Sequence, residues 1–344
     1  MSLTRDWWLP RLTARTAVLV PASWLFRLAV ALRMMLYRLG LLRSTRLPVP
    51  VIIVGNLTVG GSGKTPLVIA MVRKLKEAGH RPGVISRGYG RQNEGNRSAE
   101  PVHVLADGDP ALTGDEPLLI AGAALVPVVV DADRVRAGRA LLAAHPDVDV
   151  IVSDDGLQHY ALARDVEVAV FDDRGAGNGQ MLPAGPLREP LSRATGLTAL
   201  VHNASTADAS NNGLYQRFPA MHAMRLEPQR CYQLINPSQT CGIDELGARG
   251  TIAAIAGIGH PERFFAALRS AAIAAAPFPF PDHHAFTRDD LARISANTLI
   301  MTEKDALKCA TFNDERIWVL PVTAKLGTAF FDLILERLRG PKAA

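Results

Sequence analysis

The fold is decided by the stretch VIIVGNLTVGGSGKTP, which occupies residues 51–66. Its four initial apolar residues predict a buried strand, and the apolar periodicity that follows Pro66 predicts a helix. A glycine-rich loop ending in Gly63-Lys64-Thr65 connects the two. A strand, such a loop and a helix in this order are the context in which a Gly-Lys-Thr sequence binds nucleotide phosphates. The stretch therefore predicts a phosphate-binding loop at the end of a parallel strand.

Each residue type in this loop has a physical role. The glycines permit backbone conformations that a Cβ atom forbids, so that successive N–H groups converge on phosphate oxygens. The following helix adds unpaired N–H groups and the positive end of its dipole. Lys64 is expected to reach the β- and γ-phosphates of ATP, and the Thr65 hydroxyl to bind Mg²⁺. The predicted nucleotide-binding residues are Thr58, Val59, Gly60, Gly61, Ser62, Gly63, Lys64 and Thr65. Thr58 departs from the usual pattern, which has glycine there.

Short apolar runs alternate with helical periodicity along the rest of the chain, which is typical of parallel strands joined by crossover helices. We predict strands at residues 51–54, 83–86, 102–105, 126–130, 148–153, 166–171 and 199–202, with helices at 66–78, 116–124 and 134–144. A second α/β pattern has strands at 251–256, 298–302 and 317–322 and helices at 261–272, 303–310 and 328–338. The predicted fold class is α/β, a P-loop NTPase-like parallel sheet sandwich with a second, smaller α/β domain.

Three domains follow from these patterns. Residues 1–46 are predicted to form an N-terminal basic apolar arm, residues 47–228 the nucleotide-binding α/β domain, and residues 229–344 a C-terminal α/β domain. The 344 residues exceed the usual length of a single domain, which agrees with this division.

The positive charge is concentrated in the arm. The first 50 residues contain eight arginines and a single aspartate, whereas the whole chain has a net charge of +5. The remaining residues therefore offer no basic surface for a nucleic acid. The three cysteines show no C-x-x-C spacing, which argues against a disulfide framework and a thiolate zinc site.

The arm is predicted to associate with a membrane. Its apolar residues alternate with arginines and are flanked by Trp7, Trp8, Trp24 and Tyr37, a composition that suits the lipid headgroup boundary. The longest charge-free run, residues 16–26, is shorter than a bilayer-spanning segment, so we expect a peripheral or monotopic helix. Two alternatives remain open: a helix packed in the protein core, and a signal sequence.

An acidic pair ends one of the predicted strands. Asp154 and Asp155 follow the apolar run 148–153, where a nucleotide-binding loop needs a carboxylate to position Mg²⁺. The alternative is that one of them caps the next helix. Gln158 and His159 follow on the same turn and are candidates for the same site.

Phosphoryl transfer to an alcohol also requires a group that accepts the hydroxyl proton. The candidates are the carboxylates of Asp115 and Glu116 and the imidazoles of His283 and His284. Their spacing does not choose among them. From the residues alone, the first interpretation of Asp115 is a solvated aspartate at a helix start, and that of His283 is a residue of a surface loop.

Several motifs together resemble one family, the tetraacyldisaccharide 4'-kinases (lipid A 4'-kinases). In chain order these motifs are GNLTVGGSGKTP, SRGYGR at 86–91, GDE at 114–116, DDGLQH at 154–159, LPAGPLREP at 182–190, GIGHPERFF at 257–265, FPDHHAF at 280–286 and TEKDALK at 302–308. The resemblance implies transfer of the ATP γ-phosphate to the 4'-hydroxyl of an acylated glucosamine disaccharide 1-phosphate. It also implies a location at the cytoplasmic face of the inner membrane, and two α/β/α domains joined by a two-stranded linker.

The resemblance assigns roles to individual residues. It implies that Asp115 is the catalytic carboxylate and that His283 is its partner, although His284 directly follows. It further implies that Asp154 and Asp155 position Mg²⁺ and phosphate, and that Gln158, His159 and Glu189 line the site. Arg188 and Arg193 are candidates for binding the phosphate already present on the substrate, or are surface charges.

Two rival functions were weighed. One is a P-loop kinase of another small-molecule alcohol, for which the arm is dispensable. The other is a P-loop NTPase switch, but the Asn-Lys-x-Asp element of guanine-binding switches is absent from the sequence. We expect ATP and Mg²⁺ as cofactors, an acylated disaccharide 1-phosphate and the inner membrane surface as partners, and neither nucleic acid nor an obligate protein partner.

Overall fold

The structure is a computed structural model that describes residues 3–91, 100–204 and 213–339. In these described ranges the strands form two sheets, one of nine strands and one of six, with helices packed on their faces. Most neighbouring strands run parallel, and antiparallel pairs occur only toward the sheet edges in the described part of the chain. The predicted α/β class is confirmed.

The large sheet contains β1 Val51–Gly55, β2 Pro82–Ser86, β3 Val102–His103, β4 Val128–Val130, β5 Val150–Asp154, β6 Val166–Asp172, β7 Ala199–Asn203, β8 His222–Pro228 and β15 Val322–Leu326. Their order across the sheet is β15-β8-β7-β6-β1-β5-β2-β4-β3. β1 lies between β5 and β6 and runs parallel to both, with Val54 beside Asp154. The carboxyl ends of β1 and β5 therefore place the glycine loop next to the acidic pair.

The small sheet contains β9 Cys231–Gln233, β10 Thr240–Cys241, β11 Ile252–Ala256, β12 Ala275–Pro279, β13 Thr298–Thr302 and β14 Ile317–Leu320. Its order is β10-β9-β14-β13-β11-β12. β11 to β14 are parallel to their neighbours within this group, whereas β9 and β10 are antiparallel additions at one edge. β12 was not predicted, because its sequence AAPFP carries two prolines that usually argue against a strand.

The described helices are α1 Leu3–Asp6, α2 Ala14–Ala17, α3 Val20–Arg38, α4 Lys64–Glu77, α5 Pro110–Thr113, α6 Asp115–Ala124, α7 Arg134–Ala144, α8 Gly213–Arg217, α9 Ile243–Leu246, α10 Pro261–Ser270, α11 Arg288–Ala292, α12 Glu303–Cys309 and α13 Thr328–Leu338. Successive residues of β1 point to opposite faces of the large sheet. Ile52 and Val54 pack with α4, α6 and α13, while Val51 and Ile53 pack with α7. Helices therefore cover both faces of this sheet.

The C-terminal segment differs from its predicted placement in the unit 229–344. β15 pairs with β8 of the large sheet, and Phe330 and Ile334 of α13 are buried in the core under α4. We predicted a single strand at 317–322, but the structure has two strands there, β14 and the start of β15. Pro321 separates them because it has no N–H to continue the hydrogen bonds of the strand. The chain thus leaves the large sheet after β8 and returns to it at β15.

Most apolar residues of helix α3 are exposed, while Phe26 and Val30 pack against the core of the large sheet. Ser23 is its only buried residue and donates a hydrogen bond to the carbonyl of Met181, whereas Trp24, Leu25 and Leu28 are exposed. The interpretation of the arm as a core helix is therefore wrong. By length and composition α3, with 19 residues, is sufficient to cross a membrane, and the peripheral or monotopic placement stays a prediction.

Candidate active site

Three side chains outside the glycine loop donate hydrogen bonds to its backbone carbonyl groups. Asn56 donates to the carbonyl of Gly60, Arg174 to that of Gly61, and Asn203 to that of Ser62, at 3.0, 3.2 and 2.9 Å. In a trans peptide the C=O and the following N–H point in opposite directions. The N–H groups of the next residues in the loop therefore point away from these three side chains. The loop presents a row of donors suited to an anion.

Only two of the three loop glycines adopt a left-handed backbone. Gly60 and Gly63 have φ values of 90° and 91°, and Gly63 forms the N-cap of α4. A Cβ atom on Gly63 would lie 2.2 Å from the Asn203 amide nitrogen, whereas one on Gly61 would have no atom within 4 Å. The expectation that Gly61 also requires the conformational freedom of glycine is therefore wrong.

Thr58 forms an isolated β-bridge, whereas the usual motif has a glycine turn at this position. It is buried and pairs antiparallel with Leu187, and the neighbouring Val59 N–H donates to the carbonyl of Pro186 at 2.9 Å. The LPAGPLREP segment thus supports the start of the loop. An extended residue at this position needs no positive φ, which explains how threonine replaces the usual glycine.

Four predicted site residues meet around Asp155. Its carboxylate lies 3.6 Å from the Lys64 ammonium and 3.3 Å from the Arg188 guanidinium. Gln158 accepts a hydrogen bond from Arg188 and donates one to the carbonyl of Asn56. Burial alone would raise the pKa of Asp155, but the charges of Lys64 and Arg188 outweigh it and lower the pKa. Asp155 is therefore an ionised carboxylate beside the phosphate loop.

Asp154 is buried and unpaired. Both of its carboxylate oxygens lack hydrogen-bond partners within the residues that the structure describes. Burial and the charge of Glu116 raise its pKa to about 7, against the opposing charge of Lys64. Buried carboxylates without partners are rare unless a cation or water completes them.

The donors near Asp154 fit Mg²⁺. The Asp154 and Asp155 carboxylates and the Thr65 hydroxyl are oxygen ligands, which magnesium prefers, usually as one or two carboxylates together with substrate phosphates. Within the described residues no cluster of three or more His, Cys, Asp or Glu side chains forms a complete metal cage. The set therefore suits a metal that arrives with a nucleotide.

Asp115 and His283 contact each other although 168 residues separate them. His283 Nδ1 lies 3.1 Å from Asp115 Oδ2, and the other carboxylate oxygen accepts the Glu116 N–H at 3.0 Å. His284 instead lies 3.1 Å from Asp290. The structure therefore places His283, and not its neighbour, against Asp115.

Two lysines that the sequence analysis did not select approach the same carboxylate. Lys304 and Lys308 lie 3.8 and 3.5 Å from Asp115 Oδ2. Burial alone would raise the pKa of Asp115, but the hydrogen bond with His283 and the charge of Lys304 lower it to about 2. The sequence did contain one signal for Lys304 and Lys308: they are four residues apart, and residues with this spacing lie on the same face of a helix.

Other residues were also missed. Asn56 directly follows β1 and Asn203 is the last residue of β7, and the carboxyl ends of parallel strands are where such sheets place their ligands. Arg134 is buried and donates to the carbonyl of Asp155, and burial lowers its pKa to about 10. Arg174 contacts the loop only because the segment after β6 folds back, which no local pattern indicates.

Two predicted residues make their contacts elsewhere. His159 lies 3.7 Å from Asp133 at the start of α7, and burial and the charge of Arg134 lower its pKa to about 4. Glu189 accepts a hydrogen bond from Tyr160 at 2.6 Å and lies 3.8 Å from Arg193. The structure does not bring either side chain into the contacts around Asp155.

Comparisons with known proteins agree on one family. The family model described as Tetraacyldisaccharide-1-P 4'-kinase matches residues 15–339. The chain is 46% identical to the tetraacyldisaccharide 4'-kinase of Janthinobacterium sp. (strain Marseille), covering 99% of this chain and 97% of the relative. It is 47% identical to that of Dechloromonas aromatica (strain RCB), covering 95% and 94%.

A solved structure is also similar. The crystal structure of LpxK from Aquifex aeolicus in complex with ATP matches with a TM-score of 0.75 and 30% identity. The match covers 94% of this chain and 99% of that one.

Proposed function

Because the chain belongs to the tetraacyldisaccharide-1-phosphate 4'-kinase family, we propose that its Asp115 and His283 activate the sugar hydroxyl that receives the phosphate. The protein is an ATP-dependent kinase of lipid A biosynthesis, and its cofactors are ATP and Mg²⁺. The reaction transfers the γ-phosphate of ATP to the 4'-hydroxyl of a tetraacylated glucosamine disaccharide 1-phosphate.

The phosphates of ATP bind the N–H groups of residues 60–65 and the ammonium of Lys64. The Arg188 guanidinium, paired with Asp155, supplies a second positive charge beside the loop. Thr65, Asp154 and Asp155 would hold Mg²⁺, which when bound neutralises the charge that develops on the phosphate oxygens. The residues of the site thus orient the γ-phosphate for in-line attack.

The acceptor oxygen forms a new bond to the γ-phosphorus while the bond from that phosphorus to the bridging oxygen of ADP breaks. The hydroxyl proton passes to the Asp115 carboxylate, and ADP leaves with the bonding electron pair. His283 holds the carboxylate in place through its Nδ1 contact. One oxygen of Asp115 thereby keeps a fixed orientation toward the acceptor.

One observation supports this proposal above the others: Gly259 lies against both the glycine loop and the segment that carries His283. A Cβ atom on Gly259 would lie 3.3 Å from the N–H nitrogen of Gly61 and 3.0 Å from the carboxylate of Asp282, which precedes His283. The His283 segment and the phosphate-binding loop are therefore both close to Gly259, although they belong to different sheets.

The lipid substrate is expected to reach the site from a membrane surface. Exposing its acyl chains to water costs about 0.8 kcal/mol per CH₂ group, so the enzyme should dock where the lipid lies. Helix α3 offers exposed apolar residues and arginines for that purpose. Since ATP is the donor, we infer that the site faces the cytoplasm at the inner membrane.

We infer that the phosphate already on the substrate binds in a cavity at the C-terminal end of α3. Its volume is about 310 Å³, and its lining residues are Met34, Tyr37, Arg38, Ser44, Tyr160 and Arg193. Arg193 therefore remains a candidate for this phosphate. Arg188 instead pairs with Asp155 and is better placed for the nucleotide.

The test is transfer of labelled phosphate from ATP to the acylated disaccharide 1-phosphate in mixed micelles. Lys64→Ala should abolish transfer, and Asp115→Ala should lower kcat by about 100-fold or more while the KM for ATP stays within about twofold. The exposed Asp332→Ala serves as the matched control and should behave as the wild type. Equal loss of ATP binding in Asp115→Ala would instead assign that residue to metal binding or structure.

A further inference from the structure

Lys304 is a buried cation for which the reaction described above has no use. It lies on α12, on the side of the small sheet, and its side chain is 16% exposed. Its ammonium nitrogen is 3.1 Å from Glu116 and 3.8 Å from Asp115, both on α6 of the large sheet. It is also 3.9 Å from Asp282. One lysine thus joins the two sheets at the Asp115–His283 pair.

Lys304 also approaches the far nitrogen of His283. The ammonium nitrogen lies 3.4 Å from His283 Nε2, within hydrogen-bond distance. Burial alone would lower the pKa of Lys304, but the charges of Glu116 and Asp115 outweigh it and raise the pKa. The group is therefore an ammonium ion, which can only donate. A donor facing Nε2 requires that Nε2 of the neutral ring be the acceptor.

The other ring nitrogen then carries the proton. In neutral histidine one nitrogen is a donor and the other an acceptor, and the hydrogen bonds of the ring decide which. With Nε2 accepting from Lys304, the Nδ1–H donates to Asp115 at 3.1 Å. Asp282 lies 3.8 Å from Nε2, beyond hydrogen-bond distance, so it does not favour the opposite tautomer.

The protonation of His283 is subject to opposing influences. The hydrogen bond with Asp115 raises its pKa, while burial and the charge of Lys304 oppose that rise. The groups that face the ring are Asp115, Asp282, Lys304 and the edge-on ring of Tyr89. Of these, Lys304 is the one that can donate to Nε2.

We propose that Lys304 is a positioning residue that fixes neutral His283 in its Nδ1–H tautomer and so keeps the Asp115 carboxylate oriented toward the acceptor hydroxyl. This inference rests on the proposed function in that Asp115 acts on the acceptor. Lys304 itself touches neither the nucleotide nor the reacting oxygen in this scheme. It acts on Asp115 through the imidazole ring of His283.

The first experiment compares Lys304→Met, Lys304→Arg and Lys325→Met in the full-length enzyme in mixed micelles. Methionine keeps the length and apolar stem of lysine but has no donor. We expect Lys304→Met to lower kcat by about tenfold or more, with the KM for ATP within about twofold. Lys304→Arg, which keeps the charge, should retain more turnover than Lys304→Met. Lys325 is exposed and pairs only loosely with Glu227, so its variant should match the wild type.

The second experiment reads the tautomer directly from the ¹⁵N chemical shifts of histidine-labelled protein. His283→Gln identifies the signal. Because the contact with Asp115 raises the pKa of His283, the spectrum is recorded at about pH 9.5, three units above the ordinary pKa of histidine, where the wild-type signal should show protonated Nδ1 and unprotonated Nε2. In Lys304→Met this pattern should change toward the Nε2–H form.

Specific results would overturn the proposal. A wild-type His283 with its proton on Nε2 refutes it, and this measurement needs no folded Lys304 variant. Wild-type turnover in Lys304→Met refutes it as well, and so does reduced turnover with an unchanged His283 spectrum, which would show a merely structural role. The proposed function fails separately: full turnover of Asp115→Ala refutes the role of Asp115 without touching the tautomer measurement.

Discussion

At the scale of single residues, the candidate site is a set of carboxylates kept in different states by their surroundings. Asp154 has no cationic partner in direct contact in the described structure, and its pKa is raised to about 7. Asp115 is also buried, but contacts with His283, Lys304 and Lys308 lower its pKa to about 2. Burial alone would raise both pKa values, but of these two carboxylates only Asp115 has hydrogen bonds and opposite charges that outweigh desolvation.

The lowered pKa of Asp115 predicts how stability depends on pH. The folded-state pKa lies below the ordinary value of 3.8, so the ionised carboxylate stabilises the fold above pH 4. That stabilisation is lost as the pH falls toward 2. We expect the difference in unfolding free energy between wild type and Asp115→Asn to shrink by about 2 kcal/mol over this window. Urea unfolding followed by circular dichroism at several pH values measures it.

The exposed Asp332→Asn provides the matched control for this titration. Its difference from wild type should not change with pH over the same window. A constant difference for Asp115→Asn would mean that the lysines and His283 do not act on the Asp115 charge.

At the scale of elements, the glycine loop combines left-handed positions that favour glycine, such as Gly63, with a position, Gly61, that does not. Gly63→Ala places a methyl group 2.2 Å from Asn203 and strains a φ of 91°. We expect it to lower the unfolding free energy by about 1–2 kcal/mol or more. Gly61→Ala, which meets no atom within 4 Å, should change stability by less than about 0.5 kcal/mol. Thermal unfolding without nucleotide checks both, and equal destabilisation would contradict the loop geometry.

Helix α3 is the element on which membrane binding should depend. Leu28 and Leu32 are exposed on it and make little contact with the body. Burying one leucine side chain contributes about 1.5–3 kcal/mol, so Leu28→Glu with Leu32→Glu should weaken vesicle binding by about tenfold or more. Co-sedimentation with anionic lipid vesicles measures this.

The control for the anchor experiment is Leu105→Glu, which changes an equally exposed leucine on the body of the protein. It should bind vesicles as the wild type does. Similar losses for the two proteins would show that vesicle binding is a general property of the surface and not of α3.

At the scale of the whole molecule, the chain connects the two sheets twice. It leaves the large sheet after β8, forms the small sheet and returns to the large sheet at β15. β15 and α13 complete the large sheet after the small sheet is finished. Asp115 and Glu116 on one side then meet His283 and Lys304 on the other. The candidate catalytic pair therefore exists only when both sheets are folded and in contact.

This arrangement predicts the effect of a distant core substitution. Phe330 on α13 is fully buried among residues of the large sheet. Phe330→Ala should lower the unfolding free energy by about 3–5 kcal/mol. It should also weaken nucleotide binding at temperatures where the large sheet begins to unfold. Thermal unfolding with and without ATP measures both effects.

The exposed Glu336→Ala, on the same helix, is the control for Phe330→Ala and should have little effect on stability. If Phe330→Ala were as stable as this control, α13 would not be part of the large core.

The sequence by itself determined the glycine loop, its flanking strand and helix, and most of the strands and helices that surround them. Helix α13 and strand β13 agree with their predicted bounds. These features are local, because the spacing of apolar residues and the Gly-Lys-Thr sequence determine the backbone conformation within a few neighbouring residues. The family motifs also selected Asp115 and His283 before any geometry was available.

Only the tertiary structure decided which histidine faces Asp115, that Lys304 and Lys308 surround it, and that β15 and α13 return to the large sheet. His283 and His284 are adjacent and chemically identical, so the choice between them depends on the backbone of the loop that holds them. Contacts across 168 or more residues arise from packing between sheets. No local pattern encodes them, because the free energy that selects them comes from burial and charge pairing in the assembled fold.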